Sequence, residues 1–583
     1  MPITPVAHRP FSLHPGPRAH GLIGRAAAVT APLMDPLLGL STLDRLYAEL
    51  PDGDFIDRAL ERLGITVDVT DTHLRHVPAT GAAIVVANHP TGALDGLAVT
   101  HALLRRRNDV RLLGNHLLRR VPEMRDRIIA VNPFATGAGE TRRGLRAARA
   151  WLAQGGVLVI FPAGEVSSIA AADGRLLDGP WKRGVLSLAN RTGAAVVPAF
   201  VDATSSRWFR LAGLVHPRLR TVLLPRELLR LRNRSVGVRF GPPIDRATLA
   251  SLAGDESRLA CLRAHTYALE PARQRAAATA VAIAPAVAPD TLEREITKLT
   301  PHHELLQAGD YSVFCSPAQV MPAVLDEIGR LREITFRAAG EGTNRAVDLD
   351  RFDQTYQHLF VWHRPTRQIA GAYRIGYTDR VCAGSGVSSL YSSTLFSLDA
   401  RFLSQLGPAL ELGRSFVREE YQRQSITLLL LWRGIGALIA REPRYRRLFG
   451  PVSISAGYSP VTRTLMAKFL SDHVTPRWQQ VARPRHSLCS DPHLGALFDG
   501  SRMTLDALDA MVRELEGSRG VPVLLRHYWK LGASVMGLTV DPAFNNSLDA
   551  LMMVDMTAVG PSVLRRYLGP AGAGGFMDYH RVR

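Results

Sequence analysis

In the run IVVANHPTGALDG, Asn88 and His89 end a strand-like apolar stretch, and Pro90 and Gly92 force a turn before a helical pattern resumes. A neutral imidazole can take a proton from an attacking hydroxyl, and a nearby carboxylate can hold its tautomer and stabilise the imidazolium. His89 and Asp95 suit those two roles, although the same spacing also fits a solvated loop. A second strand-like run, GVLVIFPAGEVSS, again meets Pro, Gly, an acid and hydroxyls. Its backbone amides and short side chains can stabilise an oxyanion or position an acceptor. In the second half, ALELGRSFVREEYQ carries Glu411 and Arg414 three residues apart. They share a face if the segment is helical, a strand end being the other possibility. Such a pair can hold a zwitterionic amino acid while the carboxylate assists deprotonation of an amine, or it can be an ordinary surface ion pair.

These groups need rigid elements to aim them. From Ala82 to about Ile244, β-branched runs (AAIVVAN, IIAV, GVLVIFP, AAVVPAFV, SVGVRFGPPI) alternate with helical patterns, the rhythm of an α/β domain. Leu40–Leu63 has apolar residues at helical spacing and reads as leading helices of the same domain. The stretch 271–290 is rich in Ala, with Pro at its end, and reads as a linker, a short Ala-rich helix fitting equally well. Beyond it a second α/β pattern begins, with helical Ala318–Arg337, strand-like HLFVWH and IAGAYRIGY, helical Ser415–Arg441 and the strand VSISAGY. There is no internal repeat, so two different folds are expected. The division is an extension over 1–39, a first domain over 40–270, the linker over 271–290 and a second domain over 291–583.

Composition narrows the function. The 583 residues carry a formal charge of +19, almost all from Arg, which favours anionic partners: nucleic acid, anionic lipid or an acidic carrier protein. Zinc-ligand spacing, a helix-turn-helix pattern and RNP-like aromatics are all missing, which argues against nucleic acid. The four cysteines, Cys261, Cys315, Cys382 and Cys489, lie far apart without CxxC or Cys/His spacing; a reducing compartment is expected, with no structural metal and no cysteine chemistry. Pro and His interrupt the N-terminal run where a secretory signal needs apolar residues, and no stretch reaches the roughly 18 apolar residues of a membrane span. Arg207–Arg234 interleaves Trp, Phe and Leu with Arg, which suits an interfacial segment on an anionic membrane or a Leu stripe packed on the domain. Pro217 and Pro225 argue against one long helix there.

From Leu40 to Leu252 the chain resembles the glycerolipid acyltransferases typified by lysophosphatidic acid acyltransferases. Asn88-His89 through Asp95 is similar to their NHxxxxD block, Phe161 through Ser167 to their FPEGTRS block, and Val197-Pro198 to their later VP element. That resemblance implies His89 and Asp95 as catalytic, with Asn88, Gly164, Glu165 and Ser167 at the acceptor. Five residues rather than four separate His89 from Asp95, so Gly92 must absorb one. Ala163, Glu165 and Val166 replace Glu, Thr and Arg, and a Val cannot replace the hydrogen bonds of a planar guanidinium to phosphate. An acceptor other than a glycerol phosphate is implied, Glu165 suiting a cationic head group, unless Arg142, Arg143 or Arg183 supplies the phosphate contact.

From Arg332 to about Tyr458 the chain resembles the acyl-homoserine-lactone synthase and ornithine N-acyltransferase branch of the acetyltransferase-like (GNAT-like) superfamily. Arg332, Asp350, Asp353 and Arg374 match its substrate-site residues, and Glu411 and Arg414 its catalytic E-x-x-R element. Arg423 and Gln424 lack the Gly-rich turn that cradles coenzyme A, so an acyl carrier protein is expected as donor rather than acyl-CoA, with no bound cofactor. Together the two halves resemble bifunctional ornithine lipid synthases. The resemblance implies N-acylation of ornithine by the second domain, then O-acylation of the lyso-ornithine lipid by the first, on the cytoplasmic face of a bacterial inner membrane. Another amino acid, a phospholipid acceptor, or a degenerate haemolysin-like membrane-binding protein are the alternatives.

Overall fold

The computed structural model describes residues 9–11, 38–131, 138–169, 176–206, 209, 217–252, 254–271, 281–422, 425–488, 494, 500–517 and 519–581. The chain divides into two compact units, one reaching residue 272 and the other taking 273–490 and 499–583.

In the first unit the strands are β1 (Thr66–Asp68), β2 (Ala83–Ala87), β3 (Val110–Asn115), β4 (Ile128–Val131), β5 (Val157–Ile160), the short hairpin β6 (Ser168–Ile169) and β7 (Leu176–Leu177), β8 (Ala195–Asp202) and β9 (Ser235–Phe240). Seven of them form one sheet in the order β1-β9-β8-β2-β5-β3-β4. All its pairings are parallel except β8 with β9. Parallel strands need crossovers that cover both faces, so central strands are apolar throughout. In β2, Ala83, Val85 and Ala87 pack into one core with the helix Ala93–Leu104, while Ile84 and Val86 face a second core with Leu152, Val185 and Leu262. The C-terminal ends of β2, β5 and β3 therefore lie together at one edge, the usual place for a ligand.

The second unit has β10 (Glu304–Ala308), β11 (Tyr311–Pro317), β12 (Gln357–His363), β13 (Gln368–Tyr377), β14 (Phe396–Leu398), β15 (Ala409–Val417), β16 (Arg447–Ile454), β17 (Ala482–Pro484), β18 (Ser534–Asp541) and β19 (Ser547–Asp555). An eight-stranded mixed sheet runs β10-β11-β12-β13-β15-β16-β19-β18, and β15 with β16 is its one parallel pair. That pairing covers only Ala409–Glu411 against Arg447–Phe449, and beyond it each strand is hydrogen-bonded on its other side. The α/β class and its two different sheets agree with the sequence reading.

Several boundaries differ from the expectation. Leu40–Leu63 forms two helices, Leu40–Ala48 and Phe55–Arg62, the second capped by Asp54. Residues 1–8 and 12–37 of the expected extension, and 272–280 of the expected linker, lie outside the described residues. The rest of that linker is packed: Ala284 N–H donates to Ala346 O, Val287 N–H to Glu327, and a helix starts at Pro289. Ala318–Arg337 is a 3₁₀ turn followed by a helix from Pro322, where a proline at N1 leaves no lost bond. The expected helix Ser415–Arg441 begins as strand: β15 continues to Val417, and the long helix is Ser425–Arg441. The helix in the Arg-rich segment starts at Pro217 and runs to Arg230, so Pro217 bounds it while Pro225 sits inside it.

Helix Ser425–Arg441 meets the helical segment Pro561–Arg581, kinked at Gly569, at backbone range, since a Cβ on Gly436 would stand 2.3 Å from the Tyr567 carbonyl oxygen. Gly436→Ala must push the two helices apart, at about 1–3 kcal/mol, typical of core overpacking. Calorimetry should show a lowered unfolding midpoint for the second unit, and an unchanged midpoint would contradict this contact.

Candidate active sites

At the end of β2 the chain leaves the sheet through Asn88, whose amide pairs both ways with the Val201 backbone, Nδ2 to O at 3.1 Å and N–H to Oδ1 at 2.7 Å. This lock on β8 fixes where His89 begins. Gly92 adopts φ 87 and ψ −114, a conformation open to glycine, and starts the helix that carries Asp95. Asp95 is fully buried, and its Oδ2 accepts the N–H groups of Thr91 (2.9 Å) and Gly92 (2.8 Å) while the Thr91 hydroxyl donates to Oδ1. The same Oδ2 lies 2.9 Å from His89 Nδ1. His89 is 18% exposed with Nδ1 buried, so its other nitrogen, Nε2, is the one left for chemistry. Phe161, from the second loop, stacks on the imidazole at 4.2 Å.

The two loops are joined by a residue the sequence reading missed. Asp178 is fully buried; its Oδ1 accepts the His89 N–H at 3.0 Å and the Ser167 hydroxyl at 2.6 Å, and its Oδ2 accepts the Trp181 indole N–H at 3.0 Å. Ser167 N–H in turn donates to His89 O at 2.8 Å. Ser167 thus sits in the joint between the loops, and its hydroxyl is engaged by Asp178. The available signal was the DGPWKRG turn following an apolar pair. Gly164 (φ 71) lies beside Lys182, whose Nζ would be 2.8 Å from a Cβ there, and Gly179 is equally close to Glu165 Oε1. A cation and a carboxylate therefore flank the loop, both on exposed residues. Arg183, considered for a phosphate, pairs with Glu256 at 3.3 Å, and Arg142 and Arg143 are exposed.

In the second unit Glu411 and Arg414 are on a strand, with a bulge at Arg414. Arg374 opposes Gly413 and Ala372 opposes Phe416, so Arg414 and Ser415 face the single Tyr373, with Arg414 at φ 49. The buried Glu411 carboxylate accepts the Tyr391 N–H (3.1 Å), the Ser392 N–H (2.7 Å), the Ser392 hydroxyl (2.5 Å) and the Tyr356 hydroxyl. Arg414 donates to the Tyr391 hydroxyl at 2.8 Å, lies between the Tyr391 and Phe544 rings, and is 2.9 Å from Asp348 and 3.6 Å from Asp350. Glu411 is thus occupied in holding the Tyr391–Ser392 turn. Arg332, Asp353 and Arg374 are buried and face one another, Arg332 to Asp353 at 2.7 Å and Arg374 to Asp353 at 3.2 Å. Arg374 also reaches Asp350 at 2.6 Å, and the two guanidinium groups hold the Asp353 carboxyl well below the usual range although burial opposes this. These four, expected at the substrate, form a network beneath the Tyr391 turn, with Asp350 its more exposed member.

Three further carboxylates escaped the sequence reading because strands distant in the chain assemble them. Asp541 accepts from the Tyr391 hydroxyl at 3.4 Å. Burial, with Asp541 nearby, pushes Asp549 up to about 6, and burial, with Asp549 nearby, pushes Glu341 up to about 7. Burial, then Glu411 and Asp379, lifts the Cys382 thiol to about 11, so it is protonated at neutral pH. Cys489, Arg423 and Gln424 lie outside the described residues. Because folded Asp549 holds its proton more tightly than an unfolded aspartate, its ionisation costs stability as pH rises from about 4 to 6, and the penalty persists above that. Asp549→Asn should therefore gain stability over the unaltered chain between pH 4 and pH 7, by on the order of 2 kcal/mol. Denaturant unfolding at both pH values measures it, and a pH-independent difference would contradict the assignment.

Residues 39–275 match the family described as Acyltransferase, and residues 331–433 the Acetyltransferase (GNAT) domain. The chain is 34% identical over 234 residues to the glycine N(alpha)-acyltransferase of Bacteroides thetaiotaomicron, covering 37% of this chain and 68% of that protein. It is 33% identical over 232 residues to the enzyme of the same name from Phocaeicola vulgatus, covering 37% of this chain and 71% of that protein. It is also 28% identical over 198 residues to the lyso-glycine lipid O-acyltransferase of Phocaeicola vulgatus, covering 33% and 68% respectively. With His89 and Asp95 in contact at a strand end in one unit and Glu411 and Arg414 on one strand in the other, this chain is an acyltransferase that joins an N-terminal acyltransferase domain to a C-terminal GNAT domain, and it belongs to the family of these amino-acid N-acyltransferases.

Proposed function

We propose that this chain makes a two-chain amino-acid lipid, the second unit acylating the α-amine of ornithine and the first esterifying the hydroxyl of the resulting 3-hydroxyacyl product. The observation that carries the reading is the His89–Asp95 contact of 2.9 Å, with Nε2 left as the free nitrogen at a strand end. In the first unit His89 Nε2 takes the acceptor hydroxyl proton as oxygen attacks the acyl thioester, and Asp95 stabilises the imidazolium; the proton then returns to the departing thiol. Lys182 and Glu165 beside the loop suit an acceptor bearing a carboxylate and an ammonium.

In the second unit Arg414 is the cation for the amino-acid carboxylate, and Glu411 acts by holding the Tyr391–Ser392 turn. Asp549 and Glu341, whose proton affinity lies near neutrality, suit the proton leaving the amine. The acidic surroundings of Arg414 also favour a diamino acid, because a side-chain ammonium would find Asp541, Asp549 or Glu341, whereas glycine brings no second cation. Glycine is the second reading, favoured by the relatives' names. The end of the β15–β16 pairing at Glu411 suits a pantetheine-linked thioester, and the +19 charge suits an acidic acyl carrier protein as the donor. No helix among the described residues is long and apolar enough to cross a membrane, which is compatible with peripheral attachment to the cytoplasmic face of an anionic bilayer.

His89→Ala should lower O-acyl transfer about 10²–10⁴-fold, the usual contribution of a general base, and leave the single-chain lyso-lipid accumulating. Glu411→Ala should remove both products. Thin-layer analysis of lipids from cells expressing each variant reads both outcomes; normal two-chain lipid from the His89 variant would refute the site and the order. Supplying labelled ornithine and labelled glycine separates the two acceptors.

A further inference from the structure

The turn after β3 exposes two consecutive leucines, Leu117 at 51% and Leu118 at 39%. They sit in a 3₁₀ turn, His116–Arg120, that Asn115 caps by accepting the Leu117 N–H at 3.0 Å. β2 and β3 both run parallel to β5, which lies between them, and Val85 and Leu112 both stand opposite Val159. Asn88 and Asn115, each three residues further on, therefore leave the sheet at the same level. Two strand spacings put them about 10 Å apart. The leucines thus emerge on the rim that carries His89.

The surroundings are basic. His116–Arg127 holds four Arg against two acids, and one of those acids, Glu123, accepts from the Tyr47 hydroxyl at 3.0 Å. In contrast, four leucines of the described part of the segment expected at the membrane are turned inward, although Val222 there is 43% exposed. Leu224 packs on Gly92 and Leu229 on Gly39, while Leu228 and Leu231 join the core. Adjacent exposed leucines beside arginines match the layered chemistry of an anionic bilayer, hydrocarbon below and phosphate above.

We propose that Leu117 and Leu118 are the membrane wedge of the first unit, inserting into an anionic lipid surface so that a single-chain acceptor reaches His89 without crossing bulk water. The proposal rests on the lipid-acceptor reading above and adds the place of contact.

The test uses the full chain and sedimentation with vesicles of phosphatidylcholine containing about one third phosphatidylglycerol. Leu117→Ser/Leu118→Ser should lower partitioning roughly tenfold, because interfacial binding scales with the apolar area inserted. Leu117→Phe/Leu118→Phe should bind at least as well as the unaltered chain, which guards against a misfolded serine variant. Val320→Ser, an exposed apolar residue of the second unit, should bind unchanged. Esterification of a lyso-lipid offered in detergent micelles, measured in parallel, should survive in the serine variant, so a failed wedge is distinguishable from a failed reaction. Partitioning unchanged by the serine pair, or lost in the phenylalanine pair, would overturn the proposal. So would unchanged partitioning with slower turnover from a carrier-bound donor, which would assign the leucines to the carrier.

Discussion

Where a chain turns inside the fold, its backbone N–H groups have no ladder or helix partner and must be satisfied away from water. In both units buried carboxylates meet that requirement. Asp95 accepts from Thr91 and Gly92, Asp178 from His89, Glu411 from Tyr391 and Ser392, and Asp353 from Asp350. An ionised acceptor makes a stronger bond than a neutral one, and removing it would leave a buried donor unpaired. The candidate site residues inherit their positions from these turns.

The arrangement divides the work in the first unit. Asp95 both closes the turn and lies 2.9 Å from His89 Nδ1, so the residue that shapes the loop also faces the imidazole. Asp178 ties the His89 backbone to Ser167 and hence to the FPAGE loop, while Phe161 holds the ring by stacking. In the second unit the network of Arg332, Asp353, Arg374 and Asp350 is rigid in the same sense: each charge is neutralised by a neighbour, which makes their burial tolerable. It supports the Tyr391 turn on which Glu411 and Arg414 converge.

His89 and Asp95 were legible because the turn between them is local, with Pro90 and Gly92 marking it. The α/β class followed from β-branched runs at regular spacing. Glu411 and Arg414 were legible as a pair but not as a bulged strand, because the bulge exists only against Tyr373 of β13, about forty positions earlier. Asp178, Asp549 and Glu341 were invisible for a related reason: their surroundings come from chain segments far away, and an isolated Asp or Glu carries no mark of burial. The Leu-rich stretch after Pro217 has equal merit as membrane face or core stripe until its neighbours are known. Leu224 packs on Gly92, whereas Val222 on the same helix is exposed.

The central claim is that one chain carries out both acyl transfers on an amino acid. A lipid mass spectrum from a host that makes no amino-acid lipids, with and without this chain, tests it most directly. The account predicts a new lipid in which an amino acid bears an amide-linked 3-hydroxyacyl chain and a second acyl group esterified to that hydroxyl. A spectrum in which only phospholipid acyl composition changes, or nothing does, would contradict it.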